Sequence, residues 1–464
     1  MREAGLYALI FKSRKLGLQC SVVGSHTSSS RASARCTIPG IPQTYAEAGG
    51  ARAGTVGGVD IDPSEIGQRA RLIRRRRGLS LDVAAGLAGI SKSYLSRLES
   101  GQRRFERRGL LEDLAGALGC SVVDLTGQPY LPADRSSADT LACLPGIREA
   151  IYDATLDDAP DGPARPVAEL ARWAQQADAH RDQNCYALAG RELGTLLSEL
   201  HTRAAAGTPD DCRVALAALV QACHVAAGLA EAVGYHDLAL AAATREHEAA
   251  VRLGDPVALG LARYGWAQTW SRAGARRQAE SAIKLALVDL EPIADPSAVD
   301  TGAAEMLGMS HLYAAKLAAR SGRAASAHDH LTEARVLAER TGERNTGMQH
   351  FGPTNVALWT VSVGADLGEG PVVYEQHPPE QVDVAALNSR VRSGCYHLDL
   401  ARTLAQDDGP RDAEALRQLD TADRAAPVLV RNNPIARELF TTLHRRAKRT
   451  MWELDSLRNR FGVG

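Results

Sequence analysis

Lys92, Ser93 and Arg97 bring cationic and hydroxyl side chains together within two helical turns, a set suited to hydrogen bonding with base edges and phosphates. They lie in Gly78–Gly101, GLSLDVAAGLAGISKSYLSRLESG, where two short helical patterns meet at Gly89. The first pattern runs from Ser80 to about Ala88 and the second from Ser91 to about Leu98. Ser80 and Ser91 each stand where an N-cap oxygen would satisfy free amide donors. With Ser91 as the cap, Lys92, Ser93 and Ser96 project outward in the first turns, and Arg97 lies one turn on. A helix presented in this way fits a major groove N-terminus first. The bland alternative is that these side chains only solvate a small domain.

The elements that must position this set are short and local. Ala85 lets the two helices cross closely, Gly89 takes the positive φ of the turn, and Leu95 and Leu98 pin the second helix onto the first. That is the spacing of a helix-turn-helix. Upstream, Ile66, Ala70 and Ile73 share one helix face, with Arg69, Arg71 and Arg74 to Arg77 around the rest. Downstream comes a basic loop, Gln102 to Arg108, then an amphipathic helix through Leu110, Leu111, Leu114 and Leu118 that Gly119 ends. Val122, Val123 and Leu125 make a last short helix before Thr126-Gly127-Gln128-Pro129, so five helices are expected in residues 61–128.

Ile66 to Gly127 resembles the XRE-type, phage-repressor-like helix-turn-helix domain. The resemblance rests on RGLSL at Arg77–Leu81, GISKSYLSRLESG at Gly89–Gly101 and LEDLAGALGCSVVDLTG at Leu111–Gly127. Two departures are visible: Ala84 replaces the usual leucine of the first motif helix, and the loop after Gly101 is slightly longer. The resemblance implies that Lys92, Ser93 and Arg97 occupy base-reading positions, with Arg97 the candidate for a bidentate contact to guanine. It further implies supporting DNA contacts from Ser91, Tyr94, Ser96, Gln102, Arg103 and Arg104. Arg74 and Glu99 match a partly buried ion pair that ties the first helix to the motif, a structural role they share with Ala85 and Gly89.

The rest of the 464-residue chain is long enough for one or two further domains. Residues 62–128 hold twelve Arg/Lys against eight Asp/Glu, a net +4, and residues 1–61 are also +4. Residues 129–464 carry −9, which restores the overall −1. A small basic unit on a large acidic body suits a nucleic-acid reader whose other domain avoids DNA. Lysine occurs only at 12, 15, 92, 284, 316 and 448, so arginine does the remaining positive work, which points to a GC-rich coding sequence and an actinobacterial type of source. The eight cysteines form no CxxC pair, so no metal site and no cofactor are expected. No HExxH, Walker A, dinucleotide fingerprint or GxSxG motif occurs, and no enzyme activity is expected. No run approaches a membrane span and no plausible signal-cleavage site appears, which predicts a cytoplasmic protein. Residues 1–60 read as a disordered arm or as a mis-assigned start, since a GTG codon at Val56 or Val59 would precede the first structured segment.

From about Thr140 onward the pattern is helical and repeats. Glycine turns at Gly234, Gly274 and Gly322 are each followed five residues later by Ala239, Ala279 or Ala327. Ile283 and Ala286, Leu331 and Ala334, and finally Ala415, Leu419, Ala422 and Pro427 continue the same offsets. The spacing is similar to the second helix of a tetratricopeptide repeat, and Trp266, Ala267 and Trp270 match its first helix. The predicted fold is therefore all-α: the five-helix DNA-binding domain, a proline-bearing linker at 129–145, and a tetratricopeptide-like α-solenoid over 146–464, with a loop at Glu369 to Pro379. An irregular helical bundle is the alternative. Within the repeats, Asn355 stands near the start of a helix opened by Pro353, facing either cap or groove; in a groove it would bond a ligand.

These features predict a sequence-specific regulator that binds double-stranded DNA, as a homodimer by family expectation, with repeats that sense a peptide, a small molecule or a protein partner. The alternative is a protein-interaction scaffold in which DNA contact is secondary.

Overall fold

The structure, a computed structural model, describes residues 65–158, 162–447 and 451–462. The expectations for residues 1–60 lie outside these described residues, as do residues 61–64 of the expected first domain. Among the described residues every regular element is a helix.

Five helices build the first domain: α1 (Ile66–Arg76), α2 (Leu81–Leu87), α3 (Lys92–Glu99), α4 (Arg108–Leu118) and α5 (Val122–Thr126). Local chemistry sets their ends. Ser80 Oγ accepts the Val83 amide at 3.2 Å and Ser91 Oγ accepts the Tyr94 amide at 3.2 Å, so each serine caps its helix. Gly89, at φ +67°, makes the turn between α2 and α3. Ala85, Leu95, Leu98, Leu111 and Leu114 are buried together beneath it. Each buried leucine contributes roughly 1.5–3 kcal/mol, enough to hold a small domain whose surface is crowded with arginine.

Helical hairpins follow. The pairs Pro209–Ala232 with His236–Leu253, Pro256–Arg272 with Arg276–Leu290, and Gly302–Arg320 with Ala324–Thr341 each turn at a left-handed glycine. These are Gly234, Gly274 and Gly322, and the alanines five residues on are all fully buried, letting the paired helices approach closely. Arg390–Ala405 and Asp412–Ala425 form a further hairpin, with Ala415, Leu419 and Ala422 at the same buried offsets. The result is an α-solenoid in which each hairpin buries its apolar face against its neighbours.

Three expectations are corrected. Residues 129–145, expected as a proline-bearing linker, are partly helical: Asp134 accepts the Ser137 amide at 2.9 Å and starts α6 (Arg135–Leu141), while Pro145 sits in the first turn of α7 (Leu144–Asp153). Residues 369–379 are likewise not all loop, because Pro371 occupies the first turn of the helix Gly370–Gln376. The helix Pro209–Ala232 is long and apolar enough to span a membrane (mean hydropathy 1.6), contrary to the expectation that no run is. It is the central helix of a core cluster, packed against Val167–Asp182, Leu193–Ala206 and His236–Leu253.

The solenoid curls until its late hairpins meet its first long helix. Ser389 Oγ donates to Asp182 Oδ1 at 2.7 Å, His350 Nε2 lies 3.0 Å from Asp182 Oδ2, and the Val428 amide donates to Asn184 Oδ1 at 3.3 Å. The first helix of each hairpin faces the space enclosed by this curl.

Candidate functional site

The outward face of α3 carries the predicted base-reading residues. Ser91, Lys92, Ser93, Ser96 and Arg97 are exposed, and Tyr94 is half-buried at their edge. Lys92 Nζ reaches back to Asp82 Oδ2 on α2 at 2.7 Å, both side chains well exposed, so the pair is weak and easily exchanged. Arg97 is exposed and enters no ion pair among the described residues. Beneath this face Arg74 and Glu99 form a bidentate pair, Nε to Oε1 at 2.5 Å and Nη2 to Oε2 at 2.7 Å, with side chains only 9% and 5% exposed. Arg74 also donates to the Leu79 carbonyl at 2.8 Å, so α1, the α1–α2 turn and the end of α3 are tied at one guanidinium.

The basic loop divides. Gln102 is exposed beside α3. Arg103 Nη1 lies 2.7 Å from Asp408 Oδ2 in the solenoid. Arg104 is a correction: it was expected to hold the DNA backbone, but it is 4% exposed and donates to Glu106 Oε1 at 3.1 Å. Burial outweighs Glu106 and pushes its guanidinium pKa down. The cause is Phe105, which is fully buried and drives the loop inward against Ile435 and Leu439 of the helix Pro434–Arg446.

The helix-turn-helix domain thus rests on the solenoid through the loop after α3, through α4 and through the residue after α5. Gly109 of α4 sits so close to the Arg320 carbonyl that an added Cβ would lie 2.2 Å from that oxygen. Next to it, Arg108 donates to the Arg272 carbonyl at 2.8 Å, and Arg276 pairs with Glu112 at 3.0 Å and Asp113 at 3.1 Å. Gln128 donates to the Asn432 carbonyl at 3.0 Å.

Behind this contact the curl of the solenoid holds a cavity of about 310 Å³. Seven cationic side chains and four carboxylates line it, and two of the polar residues, Arg108 and Gln128, come from outside the solenoid. Lys316, Arg320 and Arg402 converge on Asp366: Arg402 donates to it directly, with Arg320 at 3.5 Å and Lys316 at 3.8 Å. Burial opposes ionisation of Asp366, yet Arg402, Lys316 and Arg320 outweigh it and hold its carboxyl well below the usual range. The same burial pulls Lys316 down against the attraction of Asp366. Tyr264, Tyr313 and Trp359 supply an aromatic wall, edge to face at centroid distances of 5.6 and 6.2 Å.

Asn355 faces this cavity and does not cap its helix. The cap is supplied from outside, by Glu343 Oε1 accepting the Thr354 amide at 2.8 Å. Asn355 is fully buried; its Nδ2 donates to the Gln349 carbonyl at 3.2 Å, and its Oδ1 has no hydrogen-bond partner among the described residues. Phe351, between these two residues, packs over Gly308, where a Cβ would fall 2.0 Å from the ring. Sequence reasoning missed Lys316, Arg320, Asp366, Arg392 and Arg402. The available signal was charge inside alanine- and valine-rich helices, as in AAKLAAR at Ala314–Arg320 and VGADL at Val363–Leu367.

Residues 65–126 match the family described as a helix-turn-helix domain, so the chain carries a domain of that class at its described N-terminal end. No curated protein matches the chain. Among solved structures, the crystal structure of Bacillus thuringiensis PlcR in complex with the peptide PapR7 and DNA is 11% identical, covering 83% of this chain and 100% of that one. Its TM-score is 0.23, too slight a likeness to carry an argument about this chain.

Proposed function

We propose that this protein is a sequence-specific, DNA-binding transcriptional regulator of the XRE type, acting in the cytoplasm, whose tetratricopeptide-like solenoid senses a ligand and adjusts how the DNA-binding domain is held. One observation carries the reading: α3 presents Lys92, Ser93 and Arg97 outward while Arg108 and Gln128 of the same domain complete the wall of a charged cavity. Base reading falls to Arg97 first, because a guanidinium matches the paired acceptors of guanine. Operators read by such domains are usually two half-sites at fixed spacing, so the active form is proposed to be a homodimer and the ligand to act on the geometry of the paired domains.

Gel-shift and footprinting with genomic fragments test this. A protected site that survives competitor DNA at moderate salt is the expected result; binding with no sequence preference sinks the reading.

A further inference from the structure

The cavity's charges do not balance, and the imbalance is local. Lys316, Arg320 and Arg402 share Asp366, with Asp399 adding one more carboxylate 2.6 Å from Arg402. Arg392 donates to the Gln349 carbonyl at 3.2 Å and enters no ion pair among the described residues. In the same space Asn355 Oδ1 and Gln349 Nε2 are buried with no hydrogen-bond partner among the described residues. Buried polar groups are ordinarily satisfied, and buried charge is ordinarily paired, so a cluster of exceptions pointing into one space marks a missing ligand. Its unmet needs include negative charge for the cations, a donor for Asn355 and an acceptor for Gln349, while Asp366 Oδ2 and the Glu231 oxygens, also without hydrogen-bond partners among the described residues, lie against Arg320, Lys316 and Arg272.

We infer that this cavity binds a small organic anion of one or two negative charges with a flat body, its charged group set among Lys316, Arg320, Arg392 and Arg402, and that Arg108 conveys its presence to the DNA-binding domain. The volume stands at the low end of small-molecule sites, about 300–1,000 Å³, and suits a metabolite-sized molecule better than an extended peptide. The aromatic wall of Tyr264, Tyr313 and Trp359 takes the flat body. Arg108 belongs to α4, lines the cavity and holds the Arg272 carbonyl, so an anion in the cavity competes for a group that docks the domain. This second half rests on the regulator reading; the first half does not.

Calorimetry on the full chain without DNA tests the binding half with matched pairs: salicylate against salicylamide, phenyl phosphate against phenol, and adenosine 5′-monophosphate against adenosine. At least one anion binds and its uncharged partner does not. Lys316→Met weakens that binding about tenfold or more, the usual effect of losing a charge-assisted contact. Lys284→Met, at an exposed lysine outside the cavity, leaves it unchanged. Should Lys316→Met unfold, Arg392→Met serves in its place. No binding by any anion at millimolar concentration, equal binding of charged and uncharged partners, or indifference to both cavity substitutions overturns the inference.

For the coupling half, the anion that binds shifts operator affinity several-fold in the native chain, and Arg108→Lys keeps anion binding while losing the shift. An unchanged shift in Arg108→Lys overturns that role. Failure of DNA binding with anion binding intact removes the regulator reading and leaves the anion site standing.

Discussion

Arg103 and Asp408, 305 positions apart in the chain, meet at 2.7 Å, so a side chain on the DNA-binding domain is held by a carboxylate of the acidic solenoid. Asp408 also receives Arg446 at 3.0 Å. Burial opposes its ionisation, but the hydrogen bonds and positive charges of Arg103 and Arg446 together outweigh this and keep the carboxyl below its ordinary range. In effect the solenoid offers Arg103 the charge that a DNA phosphate would offer.

Asp408→Asn should therefore release Arg103 and tighten DNA binding on all sequences alike. The pair is partly exposed and worth about 0–1 kcal/mol, so the gain is at most about fivefold, largest at low salt. Fluorescence anisotropy across a salt series reads it. Weaker binding by Asp408→Asn would show that the contact aligns Arg103 instead of withholding it.

Arg97→Ala should relax sequence preference at one base position, at a cost of about 1–3 kcal/mol for the preferred base. Arg104→Ala should not flatten the salt dependence of DNA binding, because its guanidinium is buried on Glu106. It should lower the melting temperature instead. Operator selection from random DNA separates the two; unchanged preference in Arg97→Ala removes it from the reading set.

Glu99→Ala leaves Arg74 buried without its carboxylate, which costs about 3–5 kcal/mol. The expected result is a helix-turn-helix domain that melts before the solenoid, visible as an early transition in calorimetry. A loss below about 1 kcal/mol would falsify the structural role of the pair.

Glu438 gives the docked arrangement a pH dependence. Burial, with help from Glu65, pushes its carboxyl up to about 7, against the Phe105 backbone hydrogen bond and the pull of Arg445 and Arg104. Between its ordinary 4.5 and about 7 the folded chain keeps a proton that the unfolded chain has lost. Stability is then full below the lower value and falls as pH rises through that window, by on the order of 1.4 kcal/mol per pH unit. Glu438→Gln should flatten the decline; an identical pH profile in both proteins contradicts it.

Much of the first domain was legible because its determinants are local. Ser80 and Ser91 cap within three residues, Gly89 turns in place, and Leu95 and Leu98 pack on helices close in sequence. The hairpins were legible for the same reason, through a glycine and an alanine five apart. Pro145 and Pro371 misled because proline reads as a breaker although it equally suits a first helical turn. Arg104 misled because nothing within ten residues reveals that Ile435 and Leu439 receive Phe105. The cavity was out of reach on similar grounds: Lys316, Asp366 and Arg402 come from three different helices, and Asp182 meets Ser389 across 207 positions to close the space in front of them.

Gly308 does not line the cavity, yet it decides where the lining can be. Phe351 rests on it with no room for one more carbon, and Phe351 sits in the short stretch that carries both Gln349 and Asn355. A single added methyl at position 308 would displace the pair together. Preference at the proposed anion site can therefore drift through a position that no comparison of cavity residues would flag, with every lining side chain unchanged in kind.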